Sequence, residues 1–211
     1  FVWQPSEHWT HNATLHYTYG YGYYNEFRRA SALGKKFGLN VYDADGELIE
    51  SEAVRRKGLT QNNYGALYNV SYHDDAWDVM GGLSAQMFRC NHWGYLTYIA
   101  NEEVERQYLK DGGKYKYYDS DADKNDYSWF VKAAYNFGSG WNAFADMQMR
   151  IVDYTTDGVN DKFIKGKKDG RKFYTQQQLN IDETYVFYNP KAGISYTRGG
   201  HKAYASVAYA N

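Results

Sequence analysis

Cysteine is nearly missing from this chain: Cys90 is the single one in 211 residues. A lone thiol excludes an internal disulfide and offers no paired metal-ligand spacing, and it reads as a small apolar residue. Proline occurs only twice. Long apolar runs are absent too, and with no stretch of about 18 apolar residues a transmembrane helix is excluded. Leu, Ile and Val are sparse for a packed interior of this length, and Tyr, Gly and Ala take their place. Charge of neither sign dominates: the formal net charge is −1, and Lys and Arg are spread without one leading block, which argues against nucleic acid as a partner. Phe1 is not preceded by a basic or apolar leader, and Asn211 falls in an alternating run. Both ends look cut, so the chain is expected to be part of a longer protein.

What is abundant is tyrosine, 24 residues, within an aromatic content of 19%. The tyrosines fall into a pattern that is plainest between Tyr127 and Val152. Tyr127, Trp129, Val131, Ala133, Tyr135 and Phe137 share one parity. After Gly138-Ser139-Gly140, so do Trp141, Ala143, Ala145, Met147, Met149 and Ile151. Period two predicts a β-hairpin with a tight turn. Its opposite parity carries Lys132, Asp146, Gln148 and Arg150. Aromatic residues stand at both ends of the apolar parity, with small or aliphatic ones between, which is the pattern of a strand crossing a bilayer with its greasy side chains toward lipid. A negative mean hydropathy does not oppose this, since such strands need only about ten alternating residues.

Elsewhere Ala13, Leu15, Tyr17 and Tyr19 alternate with polar residues, as do Tyr64 to Tyr72, Trp77 to Met87, Tyr185 to Tyr196 and Ala203 to Tyr209. Turns are predicted near Gln4–His8, His73–Ala76 and Thr197–His201. Three polar segments, Asn25 to about Gly58, Arg89 to Asn125 and Asp153 to about Glu183, read as long connections. Short and long connections therefore alternate, whereas soluble β domains keep most loops short at both ends. The expectation is an all-β chain, residues 1–211 as part of one antiparallel transmembrane β-barrel, with about seven to eight strands, short periplasmic turns and long extracellular loops.

Phe187-Tyr188-Asn189-Pro190-Lys191-Ala192-Gly193-Ile194-Ser195-Tyr196, followed by Lys202-Ala203-Tyr204-Ala205-Ser206, resembles a barrel segment of TonB-dependent outer-membrane receptors. Thr14-Leu15-His16-Tyr17 with Gly20 to Tyr24, Val54 to Leu59 leading into Tyr64-Gly65, and Asp146 to Arg150 with Asp153-Tyr154 are similar to the same family in the same order. The resemblance implies a barrel of about 22 strands, a separate plug domain and closing strands outside this chain, and coupling to the TonB complex through the parent protein. It also implies a Gram-negative outer membrane and a scarce nutrient as ligand: an iron chelate such as a siderophore, a corrinoid, haem or a glycan. A passive porin or surface-binding barrel shares the strand pattern, and a soluble ligand-binding β-barrel or sandwich would need the apolar parity buried inside.

No arrangement points to an enzyme, a cofactor or a metal. Asp119 to Asn125 begins like a calcium loop, but Lys124 and Phe130 occupy the positions of the required Gly and Glu. His8 and His11 read as solvated near a turn, and His16 as lining a wall or lumen. Lys132, Asp146, Gln148, Arg150 and Lys191 share the parity opposite the apolar one. They are expected to hydrogen-bond across the wall and to the plug, with a substrate path as the sharper alternative. Tyr95, Tyr98, Tyr115, Tyr117 and Tyr118 are candidate ligand contacts on a loop, with loop packing or interface anchoring as the other role.

Overall fold

The computed structural model describes residues 1–210 and, at Asp111, the backbone alone; Asn211 lies outside the described residues. One antiparallel sheet of eight strands, in sequence order throughout, takes in about three quarters of the residues. The strands are β1 (Val2–Trp3), β2 (Trp9–Ala32), β3 (Glu50–His73), β4 (Trp77–Ile99), β5 (Tyr115–Gly138), β6 (Trp141–Lys168), β7 (Arg171–Arg198) and β8 (His201–Ala208). The sheet is open: β1 pairs only with β2 and β8 only with β7. From β2 to β7 the strands run 23 to 28 residues, roughly 75–90 Å at the usual rise per residue.

The register pairs the alternating residues as their parity requires. Tyr127, Trp129, Val131, Ala133 and Tyr135 face Ile151, Met149, Met147, Ala145 and Ala143. Tyr64, Ala66, Tyr68, Val70 and Tyr72 face Met87, Ala85, Leu83, Gly81 and Val79. One face is consequently an apolar band across the whole sheet, because a shift of one residue would turn every member to the other side. The short turns match expectation. At Ser139-Gly140 and Gly199-Gly200 the backbone takes positive φ, as a two-residue hairpin turn of this hand demands.

The long connections differ from their predicted extents. Strand β2 continues to Ala32 and β3 begins at Glu50, so the first is residues 33–49 and holds α1 (Leu33–Phe37). The second is residues 100–114, with α2 (Glu102–Tyr108) and a 3-10 turn (Lys110–Gly112). The third is no loop at all: β6 and β7 pair out to Lys168 and Arg171 around Asp169-Gly170. In these stretches apolar and polar residues no longer segregate by parity, so alternation of hydropathy fades although pairing continues.

The buried apolar cluster sits at this same end. Leu33, Phe37 and Leu39 pack with Leu96, Ile99, Val104, Leu109, Tyr117 and Tyr118. The β5–β6 ladder stops at Asp119–Val159, while β6–β7 runs on, and the 33–49 segment reaches over to that projecting hairpin. Gly38 closes α1 with φ 71°, donating to the Gly34 carbonyl, and a Cβ there would lie 2.6 Å from the Phe163 ring. Asn40 then pairs with Tyr174 as a strand would, accepting from its N–H and donating to its carbonyl, both at 2.8 Å. Tyr42 donates to the Lys172 carbonyl and Lys172 pairs with Glu47, each at 2.8 Å.

Candidate functional site

Curvature follows from which side chains meet across the sheet. Lys57 on β3 contacts Asp161 on β6 at 2.7 Å, over the two strands between them. The polar face is therefore concave toward the long-connection end, and the apolar face is convex. Leu83, Val131 and Trp141 on that convex face are 60%, 48% and 45% exposed. Nothing among the described residues covers them.

The concave face assembles the candidates chosen by parity. Lys132, Asp146 and Lys191 stand in one rung across β5, β6 and β7. Phe130, Gln148 and Asn189 form the next rung, and Ser128, Arg150 and Phe187 the one after. Arg150 is held by Asp126 in two-pronged fashion, at 2.9 and 2.5 Å, and Lys124 approaches the same carboxylate at 3.3 Å. Asp146 has no ion pair among the described residues despite a lysine on either side; Lys191 lies over the Phe144 ring instead, 5.5 Å from its centroid. The rung offers alternating charge to a surface laid against it, and contains no nucleophile–base pairing.

The tyrosine candidates are not on a loop. Tyr95 and Tyr98 belong to β4, and Tyr115, Tyr117 and Tyr118 to β5. Tyr117 is 1% exposed, edge-on to Phe37, and its backbone carbonyl accepts from Gln176. Burial raises its hydroxyl pKa and pushes that of Tyr118 up to about 12. Tyr115 packs on Tyr108 against the core. These three serve packing, and Tyr118 also lines an open space on the concave side. Tyr98 is exposed, and Tyr95 lies on the convex face beside Trp93.

That space is a cavity of about 740 Å³, whose lining includes Tyr24, Lys57, Gln61, His92, Tyr118 and Asp161. Gly20 and Gly22 leave its β2 wall low; a Cβ at Gly20 would lie 2.8 Å from Gln61. At its rim Glu26 accepts from Arg55 at 2.7 and 2.9 Å and from Arg28 at 2.7 Å, and these guanidiniums hold its carboxyl below the usual range, Arg55 foremost. His92 approaches the buried Cys90 at 3.4 Å. No group of three or more His, Cys, Asp or Glu able to hold a metal occurs among the described residues.

Sequence reading missed Glu26, Arg55, Lys57 and Asp161 because they fell in stretches taken for loops. A usable signal was there: counting by twos back from Ser71 through Asn69, Asn63 and Gln61 reaches Lys57 and Arg55 on the same face. Neither protein-family models nor curated proteins give any match to the chain.

Proposed function

We propose that this chain is a stretch of barrel wall from a TonB-dependent outer-membrane receptor, whose parent protein takes up a scarce nutrient. One observation carries the membrane part: an uncovered apolar face on the convex side of a sheet whose concave side is polar and charged. From Tyr127 to Tyr135 the band measures about 27 Å along the strand, or ~21 Å at the usual tilt of about 40°, near the ~25 Å of an outer-membrane barrel. Across seven strands its area is on the order of 1,000 Å², well above the few hundred Å² that a soluble monomer exposes.

Aromatic rows border it as lipid interfaces favour. Trp9, Tyr72, Trp77, Tyr135, Trp141 and Tyr196 meet in pairs at the short-turn end, with Trp9–Tyr72, Trp77–Tyr135 and Trp141–Tyr196 centroids 4.9, 4.6 and 4.7 Å apart. Tyr17 and Tyr64 stack at the other border at 5.0 Å. A soluble barrel would turn Val131 and Trp141 inward, and here they face out.

The receptor part rests on the ordered resemblance along the chain, together with a concave face whose charges suit a plug. The unpaired edges of β1 and β8 are compatible with a place in a wider wall. Sequencing the parent reading frame tests it: a plug-like domain upstream and ligand-dependent growth lost on deletion are expected. A frame without such a domain removes energised transport. A porin would conduct freely when purified in planar bilayers, whereas a plugged receptor stays nearly closed.

A further inference from the structure

Above the apolar band the convex face divides into a cationic half and an acidic half. On the β3 side the Arg56 guanidinium lies 4.3 Å over the Tyr23 ring and donates from Nε to the neutral Asn25 amide at 2.8 Å. On the other side stand Asp121 of β5, Asp153 and Asp157 of β6 and Asp182 of β7, which continue the parity of Tyr127, Ile151 and Val186. Neither Arg56 nor any of these four carboxylates has an ion pair among the described residues. Between the halves the charges are matched in place: Arg89 pairs with Asp123 at 3.5 Å and Lys116 with Asp119 at 2.6 Å. Asp121 and Asp157 face each other directly across the ladder. Like charges so placed repel, and Arg56 is three strands away from Asp157.

The two halves stand at one height. Counted from the aromatic pairs at the short-turn end, Arg56 is 16 residues along β3 from Tyr72, and Asp157 is 16 along β6 from Trp141. Asp121 is 14 residues from Tyr135 on β5, and Asp182 is 14 from Tyr196 on β7. At the usual rise and tilt these charges lie ~35–40 Å above the short-turn border, clear of the hydrocarbon. A wall with a cation on one side and an anion on the other, at equal height, is its own complement. A half-turn about the membrane normal, between β4 and β5, sets Arg56 of each copy opposite Asp157 of the other.

We propose that the outer wall from β3 to β6 pairs with a second copy of this chain about such an axis, an inference that rests on the membrane reading above. Four strands, ~20 Å across and ~40 Å tall, offer on the order of 800 Å² per copy, the size of a standard protein interface. Within the band Ala66 and Ala85 leave a depression of about 530 Å³ over the same strands, so the two walls approach there without clash. Each Arg56 relieves the repulsion between Asp121 and Asp157 in its neighbour.

The test uses the parent protein in phosphatidylcholine vesicles at a low protein-to-lipid ratio with EDTA present, association being read as energy transfer between donor- and acceptor-labelled copies. The unaltered protein should associate, and Arg56→Asp or Asp157→Arg alone should weaken association by about tenfold, since each sets like charges face to face. Mixing the two variants should restore it, because every carboxylate of one copy at these positions then meets a guanidinium of the other. An unaltered protein that stays monomeric, single variants that associate as well as the unaltered protein, or a mixture that stays apart overturns the proposal. So does association that appears only when calcium replaces EDTA, which would assign the acidic half to a bridging ion. Protein that does not enter the vesicles at all sinks the membrane reading instead, so the two failures are distinct.

Discussion

Lys57 Nζ donates to Asp161 Oδ2 at 2.7 Å although β4 and β5 lie between their strands. The contact ties the projecting β6–β7 hairpin to the rest of the sheet, and Arg55 adds a weaker approach to the same carboxylate at 4.0 Å. Both lysine and aspartate are part-exposed, so solvent screening limits the pair to about 1 kcal/mol. Asp161→Ala should therefore leave the protein folded but free the hairpin. Hydrogen exchange of amides between residues 160 and 178 should speed up about fivefold, that free energy expressed as an opening constant. Unchanged exchange there would show that the 33–49 segment alone holds the hairpin.

Opposite faces of one strand should respond oppositely to charge. Val131 stands mid-band on the convex face, and its neighbour Lys132 already places an ammonium on the concave one. Val131→Arg is expected to cost about 2–4 kcal/mol in a bilayer and to lower insertion of the parent protein into vesicles at least tenfold. Ser128→Lys, on the concave face beside Ser84 and Arg150, should insert normally. Equal insertion of the two variants contradicts the assignment of faces.

The turn before β4 carries a built-in acid dependence. Asp74 accepts from the Tyr72 hydroxyl at 2.6 Å and from the N–H groups of Trp77 and Ala76 at 2.6 and 2.8 Å. These bonds, Tyr72 first, hold its carboxyl down to about 2 from an ordinary 3.8. A depressed pKa means the turn's stabilisation is complete above about pH 4 and is lost as pH falls through about 2. The Trp77 amide shift, followed by NMR on the refolded chain, should titrate near the lower value and become flat in Asp74→Asn. A midpoint near 3.8 in the unaltered chain counts against the hydrogen bonds described.

Legibility tracked the contrast between the two faces. Where one side is apolar and the other polar, as at Val131 and Lys132, period two gave strand, face and partner correctly. Beyond the band the contrast vanishes: Asp119, Asp121 and Asp123 alternate with Ser120, Ala122 and Lys124 in β5. Neither parity looks buried there, so paired strand resembled loop. The helices escaped for another reason. Leu33–Phe37 is a single turn whose burial depends on Phe163 and Tyr117, far along the chain, and no local period announces it. The charged rung Lys132–Asp146–Lys191 was readable because both neighbours of Asp146 lie inside the well-patterned zone. The Glu26–Arg55 and Lys57–Asp161 pairs needed the fold.

Gly58 explains how Trp93 can lie flat on the convex face. A Cβ on residue 58 would come within 2.4 Å of the Trp93 ring and 2.8 Å of the Gly22 carbonyl oxygen, and Trp93 is only 8% exposed. Gly58→Ala must displace the indole from Tyr21, at a cost of about 1–3 kcal/mol for an overpacked site. The penalty should appear as a lower midpoint in urea refolding into vesicles. A double-mutant cycle identifies its origin. With Trp93→Ala the ring clash is gone and only the carbonyl contact persists, so the cost of Gly58→Ala should fall by about half. An undiminished cost in the Trp93→Ala background would place the strain in the backbone, and the packing of Trp93 would owe nothing to glycine at 58.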